Sequence, residues 1–338
     1  MKVEISASES LSKQILQEVG FSETDSSLIT QNLIEAELVE KKSHGLIRIP
    51  ALLGKIEDRE VAVTGEEEVI KETPTMFHMD GKNKPGFIVI YKSLERAIQK
   101  VRKSGIVSVG LKDLAYASGY IGAYARVAAE QNLIFIGVSN SPGGLVPHGS
   151  TEAIWGTNPL TVGIPTNDVP VILDMASSKT TWGDLMVSKN EGKKLKEGVA
   201  IDSEGNVTTD PGEAMEGGIL TVGEHKGSGI AFIVELLAGA LTGSMVGGAV
   251  PGGWGTFYIL IDPSVYRPLE DFKKDVASAV EKLKSSKRRS GVDEIYFPGE
   301  HSNGLREANL KAGTIDVTEK LWNTLEESKS LDFKSTAY

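Results

Sequence analysis

The sequence predicts an α/β protein whose chain opens as a small helical unit, and three patterns carry that expectation. Residues 1–60 repeat apolar side chains at helical spacing. The stretch 91–138 runs helix, buried strand, helix, buried strand. Short apolar runs bounded by turn residues then continue to Ile261. Strand and helix alternating at this spacing mark an α/β layer, and 338 residues suffice for two or three domains around a sizeable core.

Taken in order, Ser6 or Ser8 is placed to cap a first helix with Leu11, Ile15 and Val19 on one face and Gly20 at its end. Glu9 follows Ser6 at the spacing of a capping box. Thr24 or Asp25 is placed to cap a second helix carrying Leu28, Ile29, Leu33, Ile34, Leu38 and Val39. A short third helix is expected over 45–57, interrupted by Pro50. Strands follow over 68–71 and 76–79, then the turn Asp80-Gly81, a helix over 91–103 stopped by Gly105, a buried strand over 106–111, a helix over 119–131 and a buried strand over 133–138. Segments 161–165 and 169–174 read as strands, and the polar, Gly-rich residues 188–218 as surface. Residues 228–241 are apolar enough for a buried helix. The glycine-rich 242–256 reads as a mobile loop, 257–261 as a strand, 269–283 as an amphipathic helix, 294–297 as a strand and 317–325 as a last helix, with a fraying tail beyond Leu331.

The net charge is −10 and the one dense basic run is 284–289, which argues against nucleic acid or an anionic membrane surface as the main partner. Lys284, Lys287, Arg288 and Arg289 read better as complements to a helix C-terminus. The absence of cysteine excludes disulfides, thiolate nucleophiles and sulfur-ligated zinc. Met1-Lys2-Val3-Glu4 lacks a secretory pattern, and the most apolar stretch contains Glu235 and Gly239 and falls short of a membrane span, so a cytoplasmic location without a membrane partner is expected.

Chemistry concentrates in Ser43-His44-Gly45-Leu46-Ile47-Arg48-Ile49-Pro50. A helix continued through this stretch puts His44 and Arg48 four apart on one face, where a guanidinium could hold a carboxylate and an imidazole could pass a proton. A helix end with merely solvated polar residues reads equally well. Gly-x-Gly-x-x-Gly after a strand, the phosphate loop Gly-x-x-x-x-Gly-Lys-Ser/Thr and His-Glu-x-x-His are all absent, so an ordinary Rossmann site, a P-loop and a histidine metal centre are not expected. Four polar-glycine segments remain. Asn140-Ser141-Pro142-Gly143-Gly144, Gly156-Thr157-Asn158-Pro159 and Leu173-Asp174-Met175-Ala176-Ser177 adjoin strands, and His225-Lys226-Gly227-Ser228-Gly229 opens the most apolar helix. Each alone is a turn or a cap. A lysine and free amides at a helix N-terminus also suit a phosphate, and ligands of α/β proteins lie at strand ends.

Together these motifs resemble the malate/L-lactate dehydrogenase family that lacks the Rossmann fold, which includes sulfolactate and ureidoglycolate dehydrogenases, diketogulonate reductase and cyclic-imine carboxylate reductases. The resemblance covers about residues 7–325. It rests on Ser43-His44-Gly45 with Arg48 and Pro50, Gly156-Thr157-Asn158-Pro159, Asp174-Met175-Ala176, Thr208-Thr209-Asp210-Pro211, His225-Lys226-Gly227 and Phe297-Pro298-Gly299-Glu300. It implies a helical substrate and dimer domain made from residues 1–73 with about 264–338, and a non-Rossmann NAD(P)-binding α/β domain over 74–263. It further implies a homodimer and reversible hydride transfer between NAD or NADP and a small 2-hydroxy or 2-oxo acid such as malate or lactate. By the same resemblance His44 and Arg48 face the substrate, with Ser43 beside them to orient either the imidazole or the substrate, whereas Ser141, Asp174, Met175, Ala176, His225, Lys226, Gly227, Pro298, Gly299 and Glu300 are placed on the cofactor.

The chain departs from its relatives at one decisive place. Many carry Asn-Ser-x-His-Phe-Gly, whose histidine is the acid/base, and the aligned residue here is Ala117, which cannot transfer a proton. His44 then takes the role, or Tyr116, Tyr120 or Lys112 does. A cyclic-imine substrate, which needs less help from an acid, and a catalytically silent nicotinamide-binding paralogue are the remaining readings. His148, in the loop after Ser141, is a further candidate.

Overall fold

In a computed structural model that describes residues 1–329, the chain begins with β1 (Lys2–Glu4), which pairs antiparallel with the strand Thr314–Asp316 and so sets the start of the chain beside a late segment. It leads straight into α1 (Ile5–Glu18), and Ile5 N donates to Gly313 O at 3.0 Å. Because the helix is entered from a strand pair, Glu4 stands at the cap without a side-chain bond, and the capping box expected at Ser6 and Glu9 does not form. The next helix, α2 (Glu23–Leu38), is capped by Ser22, whose Oγ accepts from Asp25 N at 3.0 Å, and not by Thr24 or Asp25. Asp25 is instead buried against Lys84 at 2.6 Å and Lys92 at 3.1 Å, since an ammonium partner offsets the cost of burying its charge.

No helix runs through residues 43–50, so His44 and Arg48 do not share a helix face. The chain makes a 3₁₀ turn at Lys42–His44, and α3 (Arg48–Glu57) starts afresh with Pro50 in its first turn, where a missing N–H leaves nothing unbonded.

There follow β2 (Glu68–Thr73), β3 (Met76–Asp80), α4 (Gly86–Ser104), β4 (Ile106–Leu114), α5 (Ile121–Glu130), β5 (Ile134–Ser139), β6 (Leu145–Val146), β7 (Leu160–Ile164) and β8 (Val171–Met175). After them come α6 (Trp182–Asn190), β9 (Ala200–Ile201), β10 (Val207–Thr208), α7 (Pro211–Glu216), β11 (Gly218–Leu220), α8 (His225–Val234) and β12 (Trp254–Ile261). Seven strands form the main sheet in the order β2-β3-β4-β12-β5-β7-β8. Only β3 and β4 are parallel, as the crossover through α4 requires; the other neighbours are antiparallel. Strand side chains alternate between faces. Phe135 and Tyr258 join the core under α4 and α5, and their neighbours Val138 and Phe257 face Val234 and Ala238 on the other side.

Residues 188–218 are more than surface. There β9, β10 and β11 pair with β6 into a four-stranded sheet whose own small core holds Leu185, Ala200, Ala214 and Ile219. Strands of two or three residues leave no readable alternation. The apolar segment 228–241 is not buried throughout: Phe232 and Ile233 are 49% and 53% exposed and Leu241 60%. Only one side of that helix faces the sheet. Residues 294–297 form no strand, and Glu294 instead pairs with Lys284 at 2.8 Å.

The remaining elements are α9 (Leu269–Lys284), α10 (Glu300–Ala312), β13 (Thr314–Asp316) and α11 (Glu319–Ser328). Helix α10 is absent from the expectations because it is mostly polar; it is tied to α2 by the forked Arg306–Glu35 contact at 2.9 and 2.8 Å. Val3, Leu11, Leu46 and Ile49 share one core with Ile315, Val317 and Leu325, and with Phe87, Ile88, Ala115 and Ala117 from the middle of the chain. The tail beyond Leu331 lies outside the described residues. Among the described residues, no helix is long and apolar enough to cross a membrane.

Candidate active site

The turn bearing His44 is braced from behind by Glu37, a buried residue of α2. Its carboxylate accepts from Leu46 N at 2.8 Å and from Lys42 Nζ at 2.8 Å. Gly45 passes so close that a Cβ there would stand 2.1 Å from Glu37 Oε1, so any larger residue would have to displace the Glu37 side chain. Arg48 Nε donates to Ser43 O at 2.6 Å, and Tyr116 Oη donates to Arg48 O at 2.8 Å. Ser43 Oγ and His44 Nδ1 are 3.1 Å apart. Burial pushes the His44 imidazole down to about 4; the nearby charges of Arg48 and Lys41 act in the same direction, against Asp174 and Asp184. His44 is therefore neutral at pH 7, a free base beside a guanidinium.

His44 stands on a wall shared by two cavities. One, of about 580 Å³, is lined by Arg48, Tyr116, Ala117, Ser141 and Trp182, among others. The other, of about 440 Å³, reaches Ser43, Lys41, Asp174, Ala176 and Asp184. A third, of about 170 Å³, continues from Lys41 and Asp174 to Arg126, Pro298 and Gly299. Lys41 and Asp174 pair at 2.6 Å where the second and third meet, and the other Asp174 oxygen accepts from Thr161 Oγ1 at 2.7 Å. The trough so formed starts at Arg48 and ends at Gly299.

Most of the residues singled out in the sequence meet here. Ser43, His44, Arg48, Ser141, Asp174, Ala176, Pro298 and Gly299 all line it. Gly156 lies so near Ser141 that a Cβ would come within 1.9 Å of its Oγ. Met175 does not line it. His225, Lys226 and Gly227 start α8 behind Ser177, outside the trough, with Gly227 packed on the Val222 and Ser177 carbonyls and Lys226 exposed to solvent. Glu300 accepts from Phe297 N at 3.1 Å and pairs with Lys284 at 2.5 Å, a role in holding the loop before Gly299.

Of the other proton-transfer candidates, Tyr116 spends its hydroxyl on the Arg48 carbonyl and burial pushes its pKa up, as it does more strongly for Tyr120. Lys112 pairs with Asp113 at 3.0 Å, and His148 stacks edge-on against His225, with ring centroids 6.1 Å apart; neither lines any of these three cavities. Ala117 does line the main cavity. Glu37 and Lys41 went unread in the sequence. Charged residues in an amphipathic helix and at its end carry no local sign of being turned inward.

The profile of the malate/L-lactate dehydrogenase family matches residues 3–326. The chain belongs to that family. It is 33% identical over 326 residues to the malate/(S)-sulfolactate dehydrogenase of Methanothermus fervidus, covering 94% of each chain. It is 34% identical over 336 residues to the malate dehydrogenase of Pyrococcus horikoshii, covering 93% of this chain and 91% of that one. The crystal structure of malate dehydrogenase from Entamoeba histolytica superposes with a TM-score of 0.93 at 25% identity, covering 100% and 99% of the two chains. The protein is thus an oxidoreductase acting on a CH–OH group with a nicotinamide cofactor.

The trough fits such a cofactor. It is long and built from strand-end loops, and Thr157, Pro159, Tyr120 and Trp182 give it apolar and aromatic walls. The Asp174 carboxylate lies midway along it, a polar acceptor of the type that binds ribose hydroxyls.

Proposed function

We propose that this family member interconverts a small 2-hydroxy acid and its 2-oxo acid, with His44 as the acid/base and Arg48 as the carboxylate anchor. The single observation that carries the reading is the neutral His44 imidazole beside Arg48 on one closed turn at the cavity junction. Arg48 Nε is occupied by the Ser43 carbonyl, leaving its terminal nitrogens to grip a carboxylate in two-pronged fashion. That grip sets the substrate's hydroxyl-bearing carbon near His44, which takes the hydroxyl proton on Nε2 as the alcohol is oxidised and returns it in reduction. Ser43 Oγ can accept from or donate to Nδ1, so it supports the ring in either state. The nicotinamide, when bound, supplies or accepts the hydride. We place Asp174, Ala176, Ser141, Pro298 and Gly299 on the cofactor side of the trough.

Malate and sulfolactate, named for the relatives, are the first substrates to try, with lactate as the monoacid contrast, and NAD and NADP are both candidate cofactors. The exposed apolar side chains of α8 and the turn after it favour a homodimer, with the unit built from residues 1–73 and about 264–329 carrying the substrate-facing turn. A cytoplasmic setting agrees with a soluble 2-hydroxy acid. The test follows absorbance of the reduced nicotinamide with a panel of 2-oxo acids. Turnover with oxaloacetate or 3-sulfopyruvate is expected; tight cofactor binding without turnover across the panel would overturn the reading.

A further inference from the structure

Behind the trough, Glu235 is a fully buried carboxylate that pairs with no cation among the described residues. It begins a π-helical turn, Glu235–Ala240, that continues α8; Leu241 N donates to Leu236 O, five residues back, at 2.8 Å. Such turns shift the side chains of a helix out of their usual register and are frequent at functional sites. Every partner of the carboxylate is a donor. Oε1 accepts from Asn158 Nδ2 at 2.8 Å, and Oε2 accepts from Asn140 Nδ2 at 3.2 Å and from Gly247 N at 3.0 Å.

The three donors sit on three separate loops that build one cavity. Asn140 leads into the Ser141–Gly144 wall, and its amide oxygen also accepts from Gly255 N at 2.8 Å. Asn158, itself buried, stands between Thr157 and Pro159, both of which line the cavity, and its carbonyl accepts from Ser177 Oγ at 2.7 Å, just past the Asp174–Ala176 strand end. Gly247 belongs to the glycine-rich loop whose Gly252 and Gly253 close the same cavity. Glu235 lines none of the cavities. Of its side-chain partners, Asn140 is part of the main cavity wall, and Asn158 adjoins two wall residues.

We propose that Glu235 is the positioning residue of the cofactor cavity, a hub whose carboxylate fixes the 140–144, 157–159 and 247–253 loops in one binding-ready arrangement. The proposal rests on the nicotinamide site argued above. Preorganisation of this kind appears as cofactor affinity rather than as chemistry, because loops held before binding need not be ordered by it.

Glu235→Gln tests it, since the amide keeps size and shape but turns an N–H₂ toward one of the three donors. The dissociation constants of NADH and NADPH are measured by quenching of tryptophan fluorescence, the turnover number at saturating cofactor, and folding by circular dichroism. The expected result is a folded variant whose cofactor affinity falls by about tenfold or more with kcat within about threefold of the parent, the size of leaving a buried hydrogen-bond donor without its acceptor. A folded variant binding within about twofold of the parent overturns the hub. Asn158→Ala provides a second route should the first variant not fold, with the same affinity loss expected and the same result overturning the proposal. Where both fold, the double variant should be little worse than the weaker single one, because both cut the same hub; additive losses would overturn it. A parent that binds neither cofactor would refute the nicotinamide site itself and the inference with it, whereas normal parent binding with unaffected variants refutes only the inference.

Discussion

Arg48 Nε donates to the Ser43 carbonyl at 2.6 Å, closing the turn that holds the His44 imidazole between them. The guanidinium is thus both a tether of the turn and, after burial, the largest charge that keeps His44 deprotonated. Arg48→Gln should therefore act twice. It should raise KM for the 2-oxo acid by about tenfold or more through loss of the charged fork. It should also move the acidic limb of kcat/KM for alcohol oxidation upward from about 4 towards 6.5, because removing a cation favours protonation of His44. Steady-state rates across pH check both, and an unmoved limb would separate Arg48 from the imidazole.

His44→Gln should lower turnover by roughly two or more orders of magnitude in both directions, the usual size of acid–base catalysis. Cofactor affinity should change little, since the imidazole holds no part of the trough wall in place by a hydrogen bond outside its own turn. Near-normal rates in this variant would move the proton transfer to Tyr116 or Tyr120, against the hydrogen bond that now occupies Tyr116.

The same imidazole makes stability depend on pH. Its folded pKa, about 4, lies below the ordinary 6.5, so between these values the unfolded chain takes up a proton that the folded chain refuses. The contribution of neutral His44 is fully present above pH 6.5 and is lost as pH falls through 4, with a total on the order of 3 kcal/mol. Urea midpoints of the parent should drop over that window, and those of His44→Gln should drop less.

Gly45→Ala should destabilise the fold by about 1–3 kcal/mol, the cost of forcing a methyl into filled space. The added Cβ would meet Glu37 Oε1 at 2.1 Å and push apart the carboxylate and the Leu46 amide it accepts from. The paired variant Glu37→Ala/Gly45→Ala relieves the clash but leaves the turn unbraced. It should regain part of the stability and little of the activity. Thermal melts and kcat together read this out.

Much of this site was legible because its motifs are local. Ser43-His44-Gly45, Arg48 and the strand-end segments at Ser141, Gly156 and Asp174 are short runs whose chemistry shows in residue type, and the fold does bring them to one trough. What the sequence hid is long-range or polar. The 3₁₀ break at Lys42–His44 depends on Glu37 reaching Leu46, and no local pattern records that contact. Glu235 interrupts the most apolar stretch of the sequence, and its partners Asn140, Asn158 and Gly247 come from segments whose link to it no local pattern records. Helix α10 escaped because it is anchored by the Arg306–Glu35 pair rather than by an apolar stripe. Lys226 was expected at a phosphate because of its place at a helix start, yet within one chain that start packs behind Ser177.

The outer face of α8 yields the last prediction. Phe232 and Ile233 are about half exposed, Leu236 and Leu241 are 39% and 60% exposed, and Trp155 stacks on Phe232 with ring centroids 5.7 Å apart. A run of apolar side chains this open is of the kind that contact surfaces carry. If two copies meet there, Phe232→Asp should shift the mass in solution from dimer to monomer by light scattering, since an uncompensated carboxylate in an apolar contact costs several kcal/mol. The inward side of the same helix carries Glu235, so the monomeric variant should also bind cofactor more weakly than the dimer. A Phe232→Asp protein of unchanged mass would place the contact elsewhere, with the amphipathic α9 the next face to alter.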